Sequence, residues 1–263
     1  MTNFLTKVVV ASSLLLSTAA QAHFQLVFTP QVIFERTSDV PLKLLFWHPF
    51  ENGHVMDMVT PQSFYAVHKG KKIDLMNSLK PMRFKGSSNE GDGFDASIKL
   101  KRNGDYILVV EPTPYFEGSE DMFIQQITKS YLNKGGVPSG WEEPVGLVAE
   151  IIPLNKPTNV IAGSTFTGRV LSEGKPVAGA EIEVEYLAAT PDMDTNSPTS
   201  TTATPPAGGT IVALSDANGY FTFGIPKAGF WGFAALGVGP ATEYEGKALS
   251  QDAVIWIKAH DID

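Results

Sequence analysis

The chain of 263 residues is long enough to bury a hydrophobic core, and it contains no cysteine, which excludes disulfides, a cysteine nucleophile and thiolate metal ligands. Its 28 Asp and Glu residues outnumber its 20 Lys and Arg residues, for a formal net charge of -8. This balance argues against nucleic-acid binding, because basic patches bind the phosphate backbone.

Residues 1–22 have the layout of a secretory signal peptide. Lys7 precedes a short apolar run at residues 8–18, and Ala20-Gln21-Ala22 is a small-x-small cleavage site. The apolar run is shorter than the roughly 20 residues that span a bilayer. We therefore expect cleavage after Ala22, a mature protein that begins at His23, and a soluble protein in the periplasm.

Short apolar runs between glycines and prolines predict an all-β protein. The chain has 24 Gly and 18 Pro, and residues 24–34, 42–47 and 106–111 are rich in β-branched and aromatic side chains. One short helical segment is predicted at residues 119–132, because its apolar residues do not alternate with polar ones. Residues 23–154 are predicted to form an N-terminal β domain that binds metal.

A second module with a different residue pattern follows residue 154. Its strand-like runs are separated by tight turns, and Asn218-Gly219 suits a turn that needs a positive φ. The spacing of the runs predicts an immunoglobulin-like β-sandwich over residues 155–263. Residues 191–209 are rich in Thr, Pro, Ser and Gly, so we predict a mobile loop there. The expected fold is thus two β-sandwich domains.

An amino-terminal histidine has special chemistry, because its α-amine and its ring Nδ1 can chelate one metal ion. A free α-amine has a pKa of about 7.7 to 8.0, so its deprotonation for a metal costs little. Imidazole binds Ni, Co, Cu and Zn, and the later metals are favoured. His23 is therefore a candidate metal ligand once the signal peptide has been removed.

The segment from Trp47 to Met58 is the second candidate metal-binding region. It contains two imidazoles, two carboxylates and two thioethers, and its Pro and Gly residues favour turns that could bring His48 and His54 together. Its spacing fits a metal site and equally fits a structural segment with both methionines in the core. Nothing in it matches a zinc signature such as His-Glu-x-x-His.

The two remaining histidines are weaker candidates. His68 lies next to Lys69, whose charge disfavours a bound cation, so we predict a surface residue. His260 is predicted to lie in the carboxyl-terminal tail, where Asp261 could orient its ring. We expect no enzyme, because the sequence lacks a nucleophile elbow, a phosphate loop and a dinucleotide fingerprint.

The sequence resembles the exported accessory proteins of nickel and cobalt uptake, a family formerly described only as a domain of unknown function. The stretches that carry the resemblance are Ala22-His23-Phe24, Phe-Trp-His-Pro-Phe-Glu at 46–51, Val-Met-Asp-Met at 55–58, Glu-Gly-Ser-Glu-Asp at 117–121, Ile-Gln-Gln-Ile at 124–127, and the end module from Gly163 with Gly-Phe-Trp-Gly-Phe at 229–233. The end module looks like the β-sandwich modules that follow carboxypeptidases.

The resemblance implies a protein that captures Ni²⁺ or Co²⁺ for uptake through an integral-membrane importer. It implies His23 and His48 as metal ligands, while His54 falls outside the minimal pattern and is a third, weaker candidate. Two alternatives remain open at this point. One is a periplasmic copper-binding protein, because Cu²⁺ would outbind Ni²⁺ at such a site in a test tube. The other is a structural or ligand-binding β-sandwich protein without metal.

Overall fold

The computed structural model describes residues 24–206 and 211–262, and β-strands are almost their only regular elements. In chain order the strands are β1 (Phe24–Phe28), β2 (Ile33–Phe34), β3 (Ser38–Trp47), β4 (Val55–Met56), β5 (Ser63–His68), β6 (Lys71–Asp74), β7 (Lys80–Lys85), β8 (Glu90–Leu100), β9 (Gly104–Glu111), β10 (Tyr115–Glu117), β11 (Met122–Lys134), β12 (Ala149–Pro153), β13 (Val160–Ile161), β14 (Thr165–Ser172), β15 (Lys175–Pro176), β16 (Glu181–Tyr186), β17 (Ile211–Leu214), β18 (Tyr220–Gly224), β19 (Gly229–Ala235), β20 (Glu243–Tyr244) and β21 (Lys247–His260). In the described part of the chain the one helix is a 3-10 turn at Met76–Ser78, and no helix is long and apolar enough to cross a membrane. The predicted all-β class is confirmed.

The strands form three sheets. A five-stranded sheet has the order β1-β3-β8-β7, with β4 paired to β3. A twelve-stranded sheet has the order β17-β16-β19-β21-β11-β9-β5-β6, with β2 and β10 paired to β11 and with β13 and β20 paired to β21. A four-stranded sheet has the order β12-β14-β15, with β18 paired to β14.

The twelve-stranded sheet joins strands from both sides of the expected domain boundary. Strand β11 lies in the front part of the chain, before residue 155, and β21 lies in the rear part, from residue 155 onward. The two strands pair in parallel, from Phe123 opposite Leu249 to Lys129 opposite Ile255. The division into two domains at residues 154 and 155 therefore stays a prediction. The predicted turn at Asn218-Gly219 is confirmed, since Gly219 has a φ of 81°.

The predicted helix at residues 119–132 is wrong, because most of this segment belongs to the long strand β11. The strand lies between β9 and β21 in the twelve-stranded sheet, and residues 125–134 are all buried. A strand that is covered on both faces has no need to alternate apolar and polar residues, so the periodicity that distinguishes strand from helix is missing. Asp121, with a φ of 53°, lies in the turn before it.

Three clusters of buried side chains hold the sheets together. The first cluster contains Phe166 and Phe233 and lies between the four-stranded and twelve-stranded sheets. The second cluster contains Leu44 and lies between the five-stranded sheet and the opposite face of the twelve-stranded sheet. A third cluster contains Phe24, Trp47 and Trp256, and it packs the first strand against the last. The third cluster positions the candidate site.

The described part of the predicted mobile loop makes several defined contacts. Pro191 forms a β-bridge with Pro198. The Lys85 backbone N–H donates to the Asn196 carbonyl at 2.8 Å, and the fully buried Lys43 ammonium donates to the Asn196 side chain and to Asp95. Residues 207–209 lie outside the described residues, and mobility of the loop stays a prediction.

Candidate metal site

Phe24, the first residue that the structure describes, lies directly beside Trp47, the residue before His48. Strands β1 and β3 are antiparallel, and Phe24 pairs with Trp47 at the end of the ladder. Both side chains are fully buried in the third cluster, with the rings of Phe24 and Trp256 5.7 Å apart. His23 lies outside the described residues.

His48 begins a tight turn that brings the chain back to His54. The His48 N–H donates to the His54 carbonyl at 3.2 Å, and the Gly53 N–H donates to the His48 carbonyl at 3.0 Å. The Trp47 indole N–H also donates to the Gly53 carbonyl, at 3.1 Å. A side chain on Gly53 would place its Cβ 3.3 Å from the His48 Cβ, so the close approach of the two arms favours glycine there.

The turn brings the two histidine backbones together but gives their side chains different surroundings. His48 is 4% exposed, whereas His54 is exposed and its Nε2 lies 3.4 Å from Asn89 Nδ2. Asn89 also bonds both backbone groups of Val55, which anchors it beside the turn. Within residues 24–206 and 211–262, no three His, Asp or Glu side chains are placed to hold a metal ion.

The two methionines of the segment lie in the core. Met56 is 1% exposed and Met58 is 6% exposed, and the Gln25 side-chain amide donates to the Met58 sulfur at 3.5 Å. Asp57 is instead exposed and pairs with Arg83 at 3.4 Å. Neither methionine is therefore an open thioether ligand for a soft metal such as Cu(I).

His68 and His260 are both held by backbone carbonyls. The prediction that His68 is a surface residue is wrong: it is 8% exposed, stacks on Tyr106 at 4.1 Å, and its Nδ1 bonds the Asp105 carbonyl at 2.9 Å. The hairpin turn that begins at Lys69 carries the charged residues outward, while His68 stays on the inner side of β5. His260 belongs to strand β21 rather than to a tail, and its Nε2 bonds the Thr158 carbonyl at 2.8 Å.

Strand β16 and the residues after it hold the turn that His48 begins. The Phe50 N–H donates to Glu185 Oε2 at 2.9 Å, and the Ala188 N–H donates to the Pro49 carbonyl at 3.3 Å. The ring of Phe50 lies 5.9 Å from that of Tyr186, edge to face. The rear part of the chain thus contacts the candidate site directly, which the sequence did not indicate.

Three buried carboxyl groups, Glu183 and Glu185 on β16 and Asp252 on β21, lie in the twelve-stranded sheet, and Glu185 contacts this turn. Burial, together with the nearby charges of Glu183 and Glu51, raises the pKa of Glu185 to about 8 against the lowering effect of the Phe50 N–H. Burial and the charge of Asp252 raise the pKa of Glu183 to about 7. Burial raises the pKa of Asp252 to about 6, although N–H and O–H donors around it act in the opposite direction. Sequence reasoning missed them because Glu-Ile-Glu-Val-Glu at 181–185 has the pattern of a half-exposed strand.

The melting temperature of the metal-free protein is expected to fall between about pH 5 and about pH 8.5. Each of the three carboxyl groups has a higher pKa in the folded chain than in the unfolded chain, so the folded state binds more protons in this range. Their stabilising contribution is fully present below the unfolded pKa values of 4.5 and 3.8 and is lost as the pH rises through 6, 7 and 8. Thermal melts in a chelating buffer measure this, and Glu183→Gln should flatten the slope. A melting temperature that rises over this range would contradict the assignment.

The pairing of the strands defines an all-β protein built from packed sheets, with a buried histidine turn at the end of its first sheet. The family model described as Domain of unknown function (DUF4198) matches residues 20–239, and the chain belongs to this family. A comparison with curated proteins found no relative of this chain.

A comparison with solved structures found several similar chains, all of low sequence identity. The D0-D1 domain of Intimin is 13% identical, with 88% of this chain and 98% of that chain covered and a TM-score of 0.24. The fibronectin(III)-like modules of Clostridium thermocellum CbhA are 10% identical, with 90% and 95% covered and a TM-score of 0.21. The N-terminal eight Ig domains of Down Syndrome Cell Adhesion Molecule are 12% identical, with 91% and 28% covered and a TM-score of 0.22.

Proposed function

We propose that the mature protein captures a divalent transition metal, Ni²⁺ or Co²⁺, in the periplasm and passes it to an integral-membrane importer. The observation that carries this proposal is the register of β1 and β3. Phe24 pairs with Trp47, so the residue before Phe24 and the residue after Trp47 are the two histidines with the strongest ligand chemistry in the sequence. The resemblance of these stretches to nickel and cobalt uptake proteins supports the choice of metal.

The ligand chemistry needs the cut after Ala22. The cut would give His23 a free amine, and the amine with its own ring would supply two nitrogens while His48 supplies a third. His54 stays the weaker candidate, because its side chain is exposed and its ring nitrogen lies near Asn89. All of these nitrogens must be deprotonated to bind, so the affinity for Ni²⁺ should fall as the pH falls through the imidazole range.

Replacing His48 with alanine is expected to weaken Ni²⁺ binding by at least about tenfold, because it removes one nitrogen donor. The measurement is calorimetric titration of the mature protein with Ni²⁺. The variant His260→Gln is the matched control, since it removes an imidazole that bonds only the Thr158 carbonyl in the described structure. His54→Gln decides whether that ring contributes. Equal affinity of His48→Ala and the unchanged protein would overturn the proposed site.

A growth experiment, rather than a measurement of affinity, distinguishes copper from nickel as the physiological metal. Cu²⁺ binds more tightly than Ni²⁺ at most nitrogen sites, so a titration alone does not identify the physiological metal. Deletion of the gene should slow growth under nickel or cobalt starvation and leave copper tolerance unchanged. The reverse result would favour the copper-binding alternative, and no metal binding at all would favour the structural one.

A further inference from the structure

One carboxylate of the rear part holds the turn that begins at His48. Glu185 lies on β16, and its Oε2 accepts a hydrogen bond of 2.9 Å from the Phe50 N–H, two residues after His48. The hydrogen bond between the Ala188 N–H and the Pro49 carbonyl fixes the same turn from the neighbouring position. The orientation of the His48 turn is thus set by residues more than a hundred positions further along the chain.

The strand next to Glu185 approaches the end of β1 that carries Phe24. In the ladder of β16 and β19, Glu185 pairs with Gly232. The absent side chain of Gly232 leaves room for two rings, since a Cβ there would lie 3.0 Å from the Phe24 ring and 2.9 Å from the Trp256 ring. Glu185 thus contacts the turn that begins at His48, and its ladder partner Gly232 lies against Phe24.

The carboxylate has little to compensate its charge. Glu185 is 7% exposed, and among the described residues no Lys, Arg or His nitrogen forms an ion pair with it. Among the described residues, the one hydrogen bond to its carboxylate comes from the Phe50 N–H, and the charges that act on it, Glu183 and Glu51, are of the same sign. A buried carboxylate with one N–H donor and no cation is costly to fold, and a bound cation would remove much of that cost.

We propose that Glu185 is the positioning residue of the metal site: it fixes the His48 turn through the Phe50 N–H and provides the negative charge that a divalent cation needs close by. This inference rests on the proposed function, because it assumes that the metal binds at His23 and His48. It gives the rear part of the chain a role in metal capture beyond that of a spacer.

The variant Glu185→Gln tests the inference in the mature protein. Glutamine keeps the size of the side chain and an oxygen that can accept from the Phe50 N–H, but it removes the charge. Calorimetric titration with Ni²⁺ at about pH 8.5 should give an affinity at least about tenfold lower, the lower end of what outer-shell changes cost. The metal-free melting temperature should stay equal or rise, because the buried carboxylate is gone. The visible spectrum of bound Co²⁺ should also shift, since it reports the geometry of the ligands.

Glu183→Gln is the matched control for this experiment. Glu183 lies on the same strand and the same face and is 4% exposed, but it makes no hydrogen bond to the described residues of the turn. Its replacement should leave the Ni²⁺ affinity and the Co²⁺ spectrum unchanged. If Glu185→Gln does not fold, Glu185→Asp replaces it, since the shorter side chain draws the carboxylate away from Phe50 and should weaken binding as well.

The failures of the two proposals are distinguishable. If the unchanged protein binds Ni²⁺ through His48 and the Glu185 variants bind it equally well with the same Co²⁺ spectrum, the role of Glu185 is overturned and the proposed function stands. If the unchanged protein does not bind Ni²⁺, both proposals are overturned. An equal loss of affinity in Glu183→Gln would also overturn the role of Glu185, because it would indicate a general effect of buried charge.

Discussion

Nickel affinity is expected to fall by at least about 100-fold when Ala22 remains attached to His23, since the loss of even an outer-shell partner costs roughly 10–100-fold. The peptide bond would turn the α-amine into an amide, which is a poor ligand, and the chelate formed by the amine and the ring would be lost. Every side chain of the proposed site would be unchanged. The comparison therefore tests the amine of His23 itself, since the free amine of Ala22 lies one residue further from the His23 ring.

The measurement compares two proteins that begin at His23 and at Ala22, each titrated with Ni²⁺ at the same pH. A third protein that begins at Phe24 lacks both nitrogens of His23 and should bind no better than the second. All three should have the same melting temperature without metal, because Phe24 and the rest of β1 are present in each. Equal affinities of the first two proteins would contradict a role for the free amine.

Replacing Glu150 with alanine is expected to destabilise the protein by about 3–5 kcal/mol, as for other buried ion pairs that lose one partner. The Lys129 ammonium donates to Glu150 at 2.8 Å, and the two side chains are 1% and 2% exposed. Glu150 also accepts the N–H groups of Val145, Gly146 and Leu147 at 2.9 to 3.3 Å. The variant would leave an uncompensated buried ammonium and three unsatisfied donors. Urea unfolding, followed by tryptophan fluorescence, measures the change.

A surface pair gives the control for this prediction. Glu90 lies 3.7 Å from Arg83, and both side chains are half exposed, so Glu90→Ala should change the free energy of unfolding by less than about 1 kcal/mol. The double variant Lys129→Met with Glu150→Leu should recover part of the loss, because no charge then stays buried. The three N–H groups would still lack an acceptor. A loss below about 1 kcal/mol in Glu150→Ala would contradict the prediction.

Strands rich in aromatic and β-branched residues could be predicted from the sequence, while a buried strand with many polar residues could not. Residues 24–34 gave β1 and β2 because aromatic and β-branched residues favour strands. Strand β11 could not be recognised, since burial on both faces removes its alternation. The parallel pairing of β11 with β21 could not be predicted either, because the residues of neither strand indicate which strand it pairs with.

Part of the candidate site could be predicted in the same way. The ligand chemistry of His23, His48 and His54 followed from residue types and from the turn residues Pro49 and Gly53. The burial of His48 and the exposure of His54 did not follow, because they depend on how the turn packs against β16. The role of Glu185 was hidden for a related reason, since acids that alternate with apolar residues normally face solvent.

The position of β21 near the end of the sequence has a consequence for the order in which the protein assembles. Gln251 donates to Gln125 from 126 residues away, at the centre of the twelve-stranded sheet. A chain that is synthesised from its amino terminus presents β11 long before its parallel partner. Until then the edge of β11 is open to wrong strands. Because the chain has no cysteine, no disulfide can hold these two distant strands together before they pair.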